Sequence, residues 1–197
     1  SGKTVLAAAG IYASKVAGSQ SALMAPTEIL ARQHYKNLVK LLSPFGLNIQ
    51  LLVGSLSQGA KHDVLTQLAS GTCDLVIGTQ ALIQEGVEFS NLKLVVVDEQ
   101  HRFGVKQRNI FKMHGNPHML SLSATPIPRT MALTVYGDQD LSILDELPPG
   151  RQEIVTRIIP ESKRGDAYIW ISDQVGKGRQ VFIVCPLVEE SETLELK

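Results

Sequence analysis

The stretch Leu94-Val95-Val96-Val97-Asp98-Glu99-Gln100-His101 decides the fold. Its apolar residues, mostly β-branched, are typical of a short strand that is buried on both faces of a parallel sheet. Two carboxylates follow at the strand end, where open α/β sheets place their ligands. Such a pair suits phosphate chemistry, because one carboxylate can hold Mg²⁺ while the other orients water. Taken alone, the stretch fits equally well a core strand that ends in solvated charge.

The first residues of the chain favour the phosphate interpretation. Ser1-Gly2-Lys3-Thr4 is the end of the pattern G-x-x-x-x-G-K-[ST], and the apolar run after it predicts a helix. Backbone N–H groups at such a turn bind phosphates, Lys3 reaches the β and γ oxygens, and the Thr4 hydroxyl joins the Mg²⁺ shell. The first glycine of this pattern, and the strand that would precede it, are not in the sequence. We therefore expect a gap in the sheet beside the Asp98 strand or its neighbour.

Composition and cysteine spacing exclude several classes of protein. Lys plus Arg and Asp plus Glu number 19 each, so the chain has no net positive charge of the kind that indicates DNA binding. This balance does not argue against a local basic groove. Cys73 and Cys185 form no CxxC pair, which argues against a zinc ribbon or a disulfide framework. The sequence has no long apolar run, and we expect no membrane span.

Apolar runs alternate with helical patterns and predict an α/β fold with a doubly wound, mostly parallel sheet. The predicted strands are 22–25, 48–53, 74–77, 94–97 and 119–123, and the main predicted helices are 4–17, 28–42 and 58–70. Thr27 is a good N-cap for the second helix.

The stretch Leu147-Pro148-Pro149-Gly150-Arg151 is the best candidate for a domain boundary, because consecutive prolines cannot continue a helix. We predict a first domain over residues 1–147, and a linker with the opening of a second α/β domain over residues 148–197. The second part is predicted to contain a strand at 153–159, a helix at 161–176 and a strand at 181–185.

Small polar residues follow several predicted strands and would line one edge of the sheet. Their N–H groups and hydroxyls suit binding to a nucleic-acid backbone, although the same residue types are ordinary in turns. The hydroxyls of Ser123 and Thr125 would contact the acidic pair and sense the γ-phosphate, with His101 as a bridge. His34 and His62 are interpreted as solvated helix positions.

Five segments resemble motifs I, Ia, Ib, II and III of superfamily 2 helicases. They are Ser1-Gly2-Lys3-Thr4, Ala25-Pro26-Thr27-Glu28, Gly78-Thr79-Gln80-Ala81-Leu82, Asp98-Glu99-Gln100-His101 and Ser123-Ala124-Thr125. The longer segments 98–105 and 123–130 narrow the resemblance to the RecG-like DNA translocases. Residues 136–138 and 145–151 favour the RecG branch over the transcription-repair coupling branch, and the resemblance covers essentially the whole chain.

This resemblance implies a RecA-like P-loop NTPase that uses ATP and Mg²⁺ to unwind forked DNA and Holliday junctions in DNA repair and recombination. It implies a monomeric enzyme without membrane contact, in the bacterial cytoplasm and at the nucleoid. The implied roles are ATP binding by Ser1, Gly2, Lys3 and Thr4; Mg²⁺ binding by Thr4 and Asp98; catalysis by Lys3, Asp98 and Glu99; coupling by His101, Ser123 and Thr125; and DNA binding by Pro26, Thr27, Arg32, Gly54, Ser55, Thr79 and Gln80.

Two alternatives remain open. One is a duplex DNA translocase of the transcription-repair coupling type, and the other is a non-enzymatic RecA-fold module that only binds a partner. The intact Lys3, Asp98 and Glu99 argue against the second alternative. Motifs V and VI with their arginine finger, and a wedge domain for branched DNA, lie outside the sequence. We therefore expect the chain alone to bind Mg-ATP weakly and to lack hydrolysis and unwinding.

Overall fold

A computed structural model describes residues 2–98, 111, 115–123, 140, 142–144, 146, 150 and 154–185. Contacts divide the chain into two compact units, Ser1–Pro149 and Gly150–Lys197. The sheet lies in the first unit, and the second unit contains a separate helix.

Within the described residues, five parallel strands form one sheet in the order β2-β3-β1-β4-β5. The strands are β1 (Gln20–Met24), β2 (Ile49–Leu52), β3 (Leu75–Gly78), β4 (Leu92–Asp98) and β5 (His118–Leu122). Three α-helices accompany them in this part of the chain: α1 (Lys3–Val16), α2 (Glu28–Leu42) and α3 (Gln58–Ser70). Short 3₁₀ turns cover Ser43–Phe45 and Gln80–Ile83. The predicted parallel α/β fold is therefore confirmed.

Strand β4 is paired along both of its sides. Its neighbour β1 aligns Met24 with Val97, and its neighbour β5 aligns Leu122 with Asp98. The gap expected directly beside the Asp98 strand is therefore absent. Among the described residues, β5 is paired on one side only.

Side chains alternate between two buried faces of the sheet, as expected for strands covered on both sides. On the first face, helices α1 and α2 pack against strand residues, with Ala8, Ile11, Ala31 and Leu38 facing Leu23, Ile77 and Val96. On the second face, α3 contributes Val64 and Leu68, which share a cluster with Ala22, Val76 and Val95. Since Val96 and Leu122 belong to the first face, the alternation places Asp98 there too.

Local side-chain hydrogen bonds fix where the helices begin. The Thr27 hydroxyl accepts a hydrogen bond from the Leu30 N–H at 3.4 Å, which confirms the predicted cap of α2. Ser57 caps α3 in the same way, through the Ala60 N–H at 3.3 Å. Helix α2 therefore starts directly after the carboxyl end of β1.

The second unit contains α4 (Arg164–Gly176), preceded by a 3₁₀ turn at Glu161–Lys163, and this confirms the predicted helix. The two strands predicted around it are wrong for the described residues 154–160 and 179–185, which form no strand. A strand needs a neighbouring strand to pair its N–H and C=O groups, and neither segment has one within the described residues. Their apolar side chains are instead exposed, as in Ile158 and Phe182. No helix of the described residues has the length and apolarity to cross a membrane.

Candidate nucleotide and nucleic-acid site

The carboxyl ends of the five described strands lie side by side along one edge of the sheet, because all of the strands are parallel. In spatial order, the candidate residues that end or follow these strands are Gly54 and Ser55 after β2, Thr79 and Gln80 after β3, Pro26 and Thr27 after β1, Asp98 at the end of β4, and Ser123 after β5. The predicted DNA contacts thus occupy three neighbouring strand ends. The predicted magnesium and coupling residues occupy the next two.

Helix α1 brings the candidate phosphate-binding residues to the same edge. Lys15, near its last turn, pairs with Asp74, which immediately precedes β3 and therefore marks the opposite, amino edge. The first turn, with Lys3 and Thr4, consequently lies at the carboxyl edge. Among the described residues, no side chain caps this first turn and no acidic residue occupies it, while the Gly2 carbonyl accepts from the Val5 and Leu6 N–H groups at 3.0 and 3.1 Å. An uncapped helix N-terminus beside a lysine suits a bound phosphate.

Asp98 makes a short contact with a side chain of helix α2. Its Oδ2 lies 2.7 Å from His34 Nε2, and the two side chains are only 16% and 14% exposed. A carboxylate only accepts hydrogen bonds, so the imidazole donates through Nε2. The interpretation of His34 as a solvated helix position is therefore wrong.

A second polar cluster lies at the start of α2. The Arg32 guanidinium donates to Glu28 Oε1 through Nε and Nη2 at 2.9 and 2.8 Å, and to the Ser55 hydroxyl at 3.0 Å. The Ser55 hydroxyl in turn donates to Glu28. These bonds, with the Ser55 hydroxyl first and Arg32 second, hold the pKa of the Glu28 carboxyl below its usual value. Two predicted DNA-binding residues, Arg32 and Ser55, are thereby brought together.

Gly78 draws the ends of three strands close to one another. Its carbonyl accepts a hydrogen bond from the Ala25 N–H at 2.8 Å, just before Pro26. A Cβ at this position would lie 2.3 Å from the Leu52 carbonyl oxygen, so no larger residue fits without movement of the backbone. Thr79, which follows, is half-buried, and its side chain does not cap the next turn.

Four candidate residues lie outside the described residues: Ser1, Glu99, His101 and Thr125. Ser123 is described and is half-buried directly after β5. Within the described residues, no cluster of three or more His, Cys, Asp or Glu side chains could hold a metal by itself. The Asp98 carboxylate and the Thr4 hydroxyl nevertheless fit Mg²⁺, which prefers oxygen ligands and takes one or two carboxylates together with substrate phosphates.

Comparison with known families gives a direct match. Residues 1–134 match the family described as DEAD/DEAH box helicase. The chain belongs to this helicase family.

Within the family, the similarity is to RecG. The chain is 50% identical to the ATP-dependent DNA helicase RecG of Streptococcus pneumoniae and 48% identical to that of Aquifex aeolicus, with all of this chain covered in both cases. It spans only 29% and 25% of the length of these relatives. A solved structure of RecG bound to a three-way DNA junction has a TM-score of 0.82 and 44% identity over 95% of this chain and 25% of that chain. The RecA-like fold predicted for this helicase chain is thus confirmed.

Sequence interpretation missed His34 and Glu28 as members of the site of this helicase chain. For His34 a signal was present, because it lies three residues after Ala31 and four before Leu38, both of which are buried. This spacing puts His34 on the core-facing stripe of α2. For Glu28 the signal was the spacing of four residues to Arg32, which favours an ion pair on a helix.

Proposed function

We propose that residues 1–147 form the first RecA-like motor domain of an ATP-dependent DNA helicase that acts on branched DNA. On this proposal, residues 148–197 are the linker and the beginning of a second motor domain. The observation that carries the proposal is the order of candidate residues along the carboxyl edge, with DNA candidates after β2, β3 and β1, the magnesium candidate at the end of β4 and a coupling candidate after β5. The similarity to a RecG that was solved with a three-way junction supports branched DNA as the partner.

The nucleotide half of the site would work on Mg-ATP. Ser1, Gly2 and Lys3 bind the phosphates, and the hydroxyl of Thr4 and the carboxylate of Asp98 hold Mg²⁺, which neutralises charge on the phosphates. Glu99 orients a water molecule that attacks the γ-phosphorus. The bond from that phosphorus to the β-γ bridging oxygen breaks, and ADP and inorganic phosphate are released.

The DNA half of the site would bind the sugar-phosphate backbone. Its candidate residues are hydroxyls, backbone N–H groups and one guanidinium, which suit phosphate oxygens and carry no base recognition. They are Pro26, Thr27, Arg32, Gly54, Ser55, Thr79 and Gln80. His101, Ser123 and Thr125 would couple the nucleotide state to this grip. The net charge of zero is consistent with a local groove in place of a broadly basic surface.

The setting of this activity is part of the proposal. The enzyme would work as a monomer in the bacterial cytoplasm, on nucleoid DNA, during repair and recombination. The names and the junction complex of the RecG relatives support the DNA partner.

The test uses a form extended to two motor domains with the flanking segments of the Streptococcus pneumoniae relative. We expect ATP hydrolysis that is stimulated more by a three-way junction than by linear duplex. Glu99→Gln should keep ATP affinity and lower turnover by about 10²–10⁴, since no carboxylate then orients and activates the attacking water. Glu85→Gln, an exposed carboxylate without a proposed role, is the matched control.

Three results would contradict parts of this proposal. Turnover near wild type in Glu99→Gln would remove Glu99 from catalysis. Equal stimulation by duplex and junction without strand separation would favour the transcription-repair type of translocase. Failure to bind nucleotide would favour the non-enzymatic module.

A further inference from the structure

Helix α2 reaches the candidate magnesium ligand through His34. The Nε2 of this histidine lies 2.7 Å from Oδ2 of Asp98, and both side chains are largely shielded from solvent. Within the described part of the chain, His34 is the only hydrogen-bond partner of that carboxylate. The contact uses Oδ2 and does not involve the other carboxylate oxygen.

The position of His34 is fixed by its helix. Ala31 and Leu38, which flank it on the same stripe of α2, are fully buried against the first face of the sheet. An imidazole held in this way offers its N–H in one place, and it limits the rotamers that the Asp98 side chain can adopt.

We propose that His34 is a positioning residue that holds the Asp98 carboxylate in place for Mg²⁺. The inference rests on the proposed function, since it assigns a role at the same nucleotide site. Outer-shell partners of metal ligands typically contribute 10- to 100-fold to metal affinity. His34 would act at this level, through Asp98 and without touching the nucleotide.

The same contact has a consequence for DNA binding. Two of the candidate DNA contacts belong to helix α2: Thr27 caps it and Arg32 lies in it. His34 follows Arg32 within one turn. The carboxylate that holds Mg²⁺ and the helix that begins at the DNA contacts are therefore joined by one hydrogen bond. A shift of α2 caused by DNA binding would move His34 and, through this hydrogen bond, the Asp98 carboxylate.

The test measures the Mg²⁺ concentration that half-saturates binding of a fluorescent ADP analogue to the 197-residue chain, with Mn²⁺ binding followed by electron paramagnetic resonance as a second readout. His34→Leu fills the space without a donor, and His34→Gln keeps an N–H donor at a similar reach. His62→Leu, an exposed histidine on α3, is the matched control. Circular dichroism checks that each variant is folded.

We expect His34→Leu to raise the half-saturating Mg²⁺ concentration about tenfold or more, and His34→Gln to recover most of the wild-type value. His62→Leu should change nothing. If His34→Leu does not fold, His34→Gln still decides, because a large shift in that donor-retaining variant contradicts positioning through the hydrogen bond.

The outcomes separate this inference from the proposed function. If the chain alone does not bind the nucleotide, the same measurement is made on the extended two-domain form, and absence of binding there too, at any Mg²⁺ concentration, overturns both. Normal binding by wild type with an unshifted, folded His34→Leu variant overturns the role of His34 alone. An equal loss in His34→Leu and His34→Gln would show that the imidazole acts by packing.

Discussion

The two edges of the sheet differ in how far their polar side chains bind the backbone. At the amino edge, the buried Gln20 donates through Nε2 to the carbonyls of Leu68 and Cys73 at 3.1 and 2.9 Å. Its Oε1 accepts from the Asn91 N–H at 2.9 Å. A single side chain thus satisfies backbone groups of the last turn of α3 and of the loops that precede β3 and β4.

Asp74, also at the amino edge, likewise binds a backbone group. Its Oδ2 accepts a hydrogen bond from the Asn48 N–H at 2.8 Å, while its Oδ1 pairs with Lys15 at 2.7 Å. These contacts join the loop before β2, the loop before β3 and the last turn of α1. Gln20 and Asp74 thus bind backbone groups of the fold, while Lys15 with Asp74 and Asn48 with Gln67 add contacts between side chains.

At the carboxyl edge, polar side chains mainly pair with other side chains. Arg32, Glu28 and Ser55 bind one another at the surface, where the Arg32 side chain is 51% exposed. His34 and Asp98 pair with each other below the surface. The exposed Arg32 pair can open without leaving a buried backbone group unsatisfied, so a ligand can take one partner, while the His34 pair keeps Asp98 in place. This difference supports the proposal that ligands bind at the carboxyl edge, while the amino edge supports the fold.

The largest expected effect comes from breaking the amino edge at Gln20. Gln20→Leu should lower the free energy of unfolding by about 1–3 kcal/mol, because the Cys73 carbonyl loses its partner in a buried place and the Asn91 N–H loses its partner in a partly buried one. The Leu68 carbonyl still accepts from Gly71 and Ser90. Urea unfolding measures the change. Gln84→Leu, at an exposed position, is the control, and a loss below about 1 kcal/mol at Gln20 would contradict the structural role.

Removing one positive charge from each edge tests whether only the carboxyl edge binds DNA. Arg32→Ala should weaken binding of a three-way junction to the extended two-domain form and lower the slope of log affinity against log salt by about 1, as one phosphate contact is lost. Its unfolding free energy should change by less than about 1 kcal/mol, since the Glu28 pair is exposed. Lys15→Ala is the control with the same change of charge at the amino edge.

For Lys15→Ala we expect the opposite pattern. Its DNA affinity and salt slope should stay at the wild-type values, while stability falls through the loss of the Asp74 pair. Salt titrations of both variants on one junction decide between the edges. Equal losses of DNA affinity would mean that the charge acts at long range, and that the carboxyl edge has no special role.

Sequence patterns predicted most elements of the first unit because each signal is local. The Thr27 cap, the apolar run before Asp98 and the helix at 58–70 all depend on neighbouring residues, and all are confirmed. The strand order could not be predicted in this way, because parallel strands pair with segments far away in the chain. That order is what separates the DNA candidates from the nucleotide candidates along the edge.

The same limit explains the residues that were missed or misplaced. Gln20 bonds to carbonyls 48 and 53 residues away, and His34 pairs with a carboxylate 64 residues away. No local pattern indicates either contact, although the spacing in α2 indicates burial of His34. The predicted strands at 153–159 and 181–185 failed because apolar β-branched residues favour a strand only where a partner strand exists.

The smallest expected effect concerns pH at the carboxyl edge. The Ser55 hydroxyl, and then Arg32, lower the pKa of Glu28, so the folded state favours the charged carboxylate more than the unfolded state does. The resulting stabilisation is complete above the ordinary glutamate pKa of about 4.3 and is lost as the pH falls through the lowered value. The free energy of unfolding of wild type and of Glu28→Gln, measured from pH 6 to pH 3, should differ by an amount that shrinks as the pH falls. The contributions of the other carboxylates are the same in both proteins and cancel in this difference. The ¹³C titration of the Glu28 carboxyl gives a direct check, in which Ser55→Ala should move the midpoint back towards 4.3. If Ser55→Ala leaves the midpoint unchanged, the Ser55 hydroxyl does not lower the pKa of Glu28. Side-chain pairing at the carboxyl edge would then contribute even less to stability than the contacts of the amino edge.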